Sequence, residues 1–119
     1  MRLVDSNILI FAAKPEYPHL KELLEQDDIA VSDLTRLEVL GFPNLTQETE
    51  DFFQAIFSIV TILPINDDVI NRAIEIRQQY NIKPADSIIA ATTQLYCDEL
   101  FTHDNGFHRI PDLVINDPI

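Results

Sequence analysis

The stretch Ile29–Phe42, IAVSDLTRLEVLGF, decides how this chain is read. Ile29–Ser32 is short, apolar and rich in β-branched residues, which predicts a strand. Ser32 and Asp33 are good N-cap types, so they predict a helix from there to about Phe42, stopped by Gly41 and Pro43. A strand that passes directly into a helix is the unit of α/β folds.

The same alternation recurs on either side. Arg2–Asp5 (RLVD) predicts a first strand, Ser6–Ala13 a short helix, and His19–Gln26 another, after a turn marked by Pro15 and Pro18. Thr46 opens a further helix, with Glu48, Glu50 and Asp51 near its positive end and Phe52, Phe53, Ile56 and Phe57 on one broad apolar face. Thr61–Ile65 predicts a third strand, with Pro64 placing its end or an edge there. Asn66 or Asp67 caps a helix to about Tyr80, in which Ile70, Ala73, Ile74 and Arg77 share a face. Pro84 starts a helix over Ala85–Leu95, and Glu99–Thr102 and Leu113–Ile115 read as two closing strands. Near-continuous apolar strands alternating with helices predict a parallel sheet covered on both faces. In such sheets, ligands bind beyond the carboxyl ends of the strands.

The 119 residues are one domain's worth, so a single domain over residues 1–119 is expected. With 46% hydrophobic and 24% charged residues, the composition is that of a globular protein. The lone Cys97 excludes an internal disulfide framework. The uncharged run Ala55–Asn66 carries Ser58, Thr61 and Pro64 and falls short of the ~20 apolar residues of a membrane span. Asp5 and Asn7 interrupt any signal-peptide core, so a cytoplasmic protein without membrane contact is expected. Twenty acids against eight bases leave a net charge of −12, which argues against a simple basic-patch nucleic-acid binder.

Four carboxylates stand out. Asp5 and Asp104 follow predicted strands and Asp86 opens a predicted helix, so a parallel topology sends all three to one rim of the sheet. Glu38 lies one to two turns into the helix that leaves the second strand, with Leu34, Leu37 and Gly41 at helical spacing, which puts a carboxylate on or beside an apolar stripe. Each has an ordinary explanation: Asp5 as a cap, Glu38 as a stripe-edge group reaching water, Asp86 as a complement to the helix dipole, Asp104 as a turn residue before Asn105-Gly106. Jointly they are harder to dismiss. Two carboxylates ~5 Å apart at an effective dielectric of ~20 repel by roughly 3 kcal/mol. No Lys or Arg is directly adjacent in sequence to Asp5, Asp86 or Asp104, the nearest to Asp86 being Lys83 three residues earlier, so a divalent ion is the natural compensator, and hard oxygen ligands select Mg²⁺ or Mn²⁺. His103, His108 and Cys97 have no zinc-site spacing, and two glycines cannot build a phosphate loop.

The runs LVDSNILI around Asp5, LTRLEVL around Glu38, PADSIIAA around Asp86 and THDNGF around Asp104 resemble the four signature blocks of PIN-domain nucleases, and in this short format the VapC-like toxins of toxin–antitoxin pairs. The resemblance spans essentially the whole chain. It implies a three-layer α/β/α fold with a parallel sheet ordered 3-2-1-4-5, and Mg²⁺- or Mn²⁺-dependent endoribonuclease activity leaving 5′-phosphate and 3′-hydroxyl ends. By match, Asp5, Glu38, Asp86 and Asp104 are the metal-binding, catalytic quartet, with Asn7 and Thr102 as supporting residues. An RNA substrate and a cognate antitoxin are the implied partners, the latter with a basic arm able to place Arg or Lys among the carboxylates; a homodimer stays open. Many relatives carry a further acid where Gly106 stands, so one ion or two is also open.

Two other readings use the same acids. A phosphoacceptor receiver module needs adjacent acids after the first strand, an Asp after the third and a Lys after the fifth. Here the first strand ends D-S-N, the third P-I-N, and no Lys follows Lys83. A catalytically inactive PIN-like binding domain is the other alternative; the intact quartet opposes it and Gly106 keeps it open.

Overall fold

The computed structural model describes residues 1–119. Five strands, β1 (Arg2–Val4), β2 (Ile29–Ser32), β3 (Thr61–Leu63), β4 (Glu99–Phe101) and β5 (Ile115–Asn116), form one sheet in the order β3-β2-β1-β4-β5. Every neighbouring pair is parallel, with Leu3 opposite both Ala30 and Leu100. Six helices cover the sheet: α1 (Ser6–Ala12), α2 (Pro18–Leu24), α3 (Asp33–Leu40), α4 (Gln47–Ile59), α5 (Asp67–Tyr80) and α6 (Pro84–Tyr96), followed by a 3-10 turn over Asn105–Arg109.

Side-chain alternation along the strands divides the core into two layers. Leu3, Ala30 and Leu100 meet Val69, Ala73 and Ile76 of α5 and Ile89, Ala90 and Ala91 of α6. Their strand neighbours Val4, Ile29, Val31 and Phe101 point to the opposite face, against Ile8 and Leu9 of α1, Leu20 and Leu24 of α2, Val39 of α3 and Phe53, Ile56 and Phe57 of α4. This is the expected three-layer arrangement. The small Ala90 and Ala91 let α6 lie close under the central strands.

Helix starts follow the predicted chemistry. Ser32 accepts from the Leu34 N–H, Thr46 from the Thr49 N–H and Asn66 from the Val69 N–H, each satisfying an end group that the helix leaves unpaired. Three details differ from the sequence reading. The last strand is Ile115–Asn116, not Leu113–Ile115, because Leu113 turns its side chain into the core while the Val114 carbonyl accepts from the Leu100 N–H at 2.8 Å. On α5 the buried line is Val69, Ala73 and Ile76, and Ile70 and Ile74 stay 40% and 50% exposed. On α3 the core takes Thr35 and Val39 and leaves Leu37 71% exposed.

Going away from β1, the chain builds β2 and β3 on one side and β4 and β5 on the other. The order therefore reverses between β1 and β4, where the loops diverge and leave a crevice at the carboxyl ends. Asp5 follows β1 and Thr102 follows β4 at that switch point.

Candidate active site

The centre of the site is the Asp5 carboxylate, only 6% exposed. Its backbone N–H donates to the Phe101 carbonyl at 2.9 Å, which sets it beside the end of β4. Oδ1 accepts from the Ser6 N–H at 2.9 Å, so the capping role is real. Oδ2 accepts from the Thr102 hydroxyl at 2.8 Å. That hydroxyl in turn accepts from the Asp104 N–H at 3.0 Å and, at 3.4 Å, from Asn7 Nδ2, which reaches Asp5 Oδ2 at the same distance. Since a threonine hydroxyl has one proton and two lone pairs, Thr102 is fully used, and its proton goes to Asp5. Asn7 Oδ1 also accepts from the His103 N–H at 3.3 Å, tying α1 to the segment after β4.

Burial raises the Asp5 pKa from 3.8 to about 6. The bonds from Thr102 and Ser6 oppose that rise, and the charges of Glu38 and Asp86 add to it. Glu38 is raised in the same direction, first by burial, with the Ser6 hydroxyl lowering it and Asp86 raising it. Asp86 is raised by burial and by Asp104, and lowered by Lys83. These mutual influences link Asp5 with Glu38 and Asp86, Glu38 with Asp86, and Asp86 with Asp104. The four sequence-predicted acids are thus linked pairwise, with Asp5 buried and Asp104 exposed, and Asp86 and Asp104 line a common cleft.

Asp104 caps the 3-10 turn, its Oδ1 accepting from the Gly106 N–H at 2.8 Å. A Cβ at residue 106 would lie 3.2 Å from that oxygen, so glycine lets the carboxylate fold back onto its own turn. Sequence reasoning placed Asn7 and Thr102 here as supporting residues, and both touch Asp5. It passed over Ser6, whose backbone and hydroxyl serve Asp5 and Glu38; the only signal was its place between Asp5 and Asn7.

A divalent cation suits this donor set. Glu38 Oε1 is buried and has no hydrogen-bond partner, and Thr35 Oγ1, one turn earlier on α3, is likewise unpaired. Unpaired buried acceptors cost free energy, and neighbouring carboxylates with upward-shifted pKa values repel one another until a cation or proton intervenes. The acids are not drawn into a finished cage: no three His, Cys, Asp or Glu groups already stand in metal-holding geometry. Oxygen-only donors on separate elements fit a hard ion such as Mg²⁺ or Mn²⁺ and do not fit zinc.

The largest cleft lies elsewhere, an apolar groove of about 270 Å³ lined by Ile10, Ala13, Phe42, Pro43, Leu45 and Phe53. No carboxylate lines it, so the chemistry is not there.

Comparison with known proteins agrees with this fold. Ribonuclease VapC2 of Methanocaldococcus jannaschii is 28% identical over 133 aligned residues, covering 93% of this chain and 89% of that protein. A toxin–antitoxin complex from Klebsiella pneumoniae superposes with a TM-score of 0.81 at 31% identity, covering 100% of this chain and 98% of the matched one. FitAcB from Neisseria gonorrhoeae shares the fold, with a TM-score of 0.80 at 24% identity over 99% of this chain and 98% of the other. The PIN domain model matches residues 2–113, from the first strand through the turn before the last, and the chain belongs to the PIN-domain family.

Proposed function

We propose that this protein is a Mg²⁺- or Mn²⁺-dependent endoribonuclease and the toxin of a toxin–antitoxin pair, formed as a single domain over residues 1–119. What supports the reading is the buried Asp5 at the β1/β4 switch point, whose carboxylate is influenced by Glu38 and Asp86, together with an unpaired buried oxygen on Glu38. The likeness to a protein named as a ribonuclease, and to a chain from a toxin–antitoxin complex, supports the same class.

In this reading Asp5, Glu38, Asp86 and Asp104 hold the metal. A divalent ion bound there would supply Lewis-acid charge and an activated water. The chain supplies the orientation. Thr102 and the Ser6 N–H fix both oxygens of Asp5 and favour its ionised form against the burial that opposes it. Asn7 braces Thr102 from α1, and the Gly106 N–H holds Asp104 at the rim. Glu38 brings an acid from α3, and a cation bound beside it would offset the burial that raises its pKa. Hydrolysis in this sense would release the 3′ oxygen of the upstream fragment as a hydroxyl and leave the phosphate on the 5′ oxygen of the downstream fragment.

A net charge of −12 opposes RNA, so binding depends on the metal and on local bases. An antitoxin carrying Arg or Lys would neutralise the same carboxylates and block the site.

The test is cleavage of single-stranded RNA by the purified protein with Mg²⁺ or Mn²⁺, against chelator and against Asp86→Asn. Product ends carrying 5′-phosphate, and loss of cleavage in both controls, are expected. Equal cleavage by Asp86→Asn, or no cleavage by the parent with either metal, overturns the reading.

A further inference from the structure

A second cleft, of about 240 Å³, opens beside the acids and is lined by Asn81, Lys83, Asp86, Asp104, Gly106 and Arg109. It is the place where bases and the proposed metal ligands share one surface. The other bases are not part of its lining. Arg2 pairs with Asp28 at the amino end of the sheet, Arg36 with Asp33, and Arg72 with Glu75. Lys14 and Lys21 lie over the rings of Phe11 and Phe52. Arg77 donates from Nε to the Ile82 carbonyl at 3.1 Å.

The segment presenting Lys83 is held in place from two sides. Asn81 ends α5 in the left-handed region at φ 51°, and its carbonyl accepts from Arg109 Nη1 at 3.3 Å. With Arg77 on the next carbonyl, the backbone before Lys83 is pinned while the Lys83 ammonium makes no ion pair and stays exposed. Ile82 is the one apolar residue of the lining, so no aromatic face is present for a base to stack on. The volume is also below the ~300–1,000 Å³ that encloses a whole small molecule. These properties suit a length of sugar–phosphate backbone.

We propose that this cleft is a backbone subsite for single-stranded RNA, in which Lys83 and Arg109 hold the phosphate next to the one being cut. The inference rests on the nuclease reading above and deepens it by giving the strand a direction of exit, across the α5–α6 loop and past the 3-10 turn. On a chain of net charge −12, two such contacts decide which way a polyanion leaves the site. They are positioning residues, acting on substrate placement and not on the bond being broken.

The experiment measures binding of a fluorescein-labelled, mixed-sequence single-stranded RNA oligonucleotide by anisotropy, with Ca²⁺ replacing Mg²⁺ and salt varied. Lys83→Ala and Arg109→Gln are each expected to weaken binding about 3- to 10-fold at low salt and to flatten the log–log salt slope by about 0.7. Lys21→Ala, over Phe52 and away from the cleft, is expected to leave both unchanged. In cleavage assays with Mg²⁺ the two cleft variants should raise KM and keep kcat within twofold. Binding by both variants within twofold of the parent overturns the subsite, as does an equal loss in Lys21→Ala or an absence of RNA binding by the parent. If the parent still cuts RNA in a metal-dependent way, those results leave the nuclease reading standing; loss of that activity in the parent overturns both.

Discussion

Replacing Asp5 by asparagine should abolish RNA cleavage and yet stabilise the metal-free fold at neutral pH. Burial lifts the Asp5 pKa from 3.8 to about 6, so between those values the folded state holds a proton that the unfolded chain has released. The parent therefore loses stability as pH rises through that window and reaches its full penalty above it. A rise of about 2 units at 1.36 kcal/mol each amounts to about 3 kcal/mol at neutral pH. Asparagine escapes that penalty and gives up about 1 kcal/mol of hydrogen bonding to the Thr102 hydroxyl and the Ser6 N–H. The net gain is about 2 kcal/mol, which for a chain of this size raises Tm by roughly 6–10 °C. The assay is thermal denaturation by circular dichroism in chelator, across a pH series that brackets the two pKa values. The gap should close as pH falls towards 4, and millimolar Mg²⁺ should raise the parent's Tm while leaving the variant almost unmoved. An Asp5→Asn protein that melts below the parent at neutral pH in chelator, or a gap that persists unchanged in acid, refutes burial of this carboxylate as the cause.

Two further substitutions probe the hub and the rim. Thr102→Val keeps the shape but strips Asp5 of its hydroxyl donor and the Asp104 N–H and Asn7 of their acceptor; a loss of about 1–3 kcal/mol in denaturant unfolding and a 10- to 100-fold weaker apparent Mg²⁺ affinity are expected, and unchanged Mg²⁺ dependence would contradict the assignment. Gly106→Ala puts a Cβ 3.2 Å from Asp104 Oδ1, so cleavage should fall several-fold while stability stays within about 0.5 kcal/mol; full activity would show that the Asp104–Gly106 contact does not set the carboxylate.

The chain alternation was legible because β1, β2 and β4 each carry a short apolar run, Leu3–Val4, Ile29–Val31 and Leu100–Phe101, and because Ser32, Thr46 and Asn66 are caps by residue type. A parallel sheet then sends Asp5 and Asp104 to one rim without further information, since each follows a strand. Glu38 was harder. Leu34 and Leu37 suggested the stripe it belongs to; Leu34 does pack against the core, but Leu37 stays exposed and the fully buried positions are Thr35 and Val39. Likewise Ile70 and Ile74 look like core positions on α5, where three-and-four spacing allows two adjacent lines and only packing against α6 chooses between them. The final strand slipped towards Asn116 because Leu113 is apolar enough to read as strand while its side chain serves the core. What no pattern could supply is valence: that the single proton of Thr102 goes to Asp5, that one oxygen of Glu38 goes unpaired, and that Lys83 alone among nearby bases lies unpaired beside the acids.

The backbone N–H of Thr102 donates to the Asn116 carbonyl at 3.0 Å, across the last pair of strands. The hub of the site is thus fastened to the edge strand laid down last, and its partner Asp5 comes from the other end of the polypeptide. Unpairing that edge strand should therefore loosen Thr102 and, through its hydroxyl, the carboxylate of Asp5, although neither side chain belongs to β5.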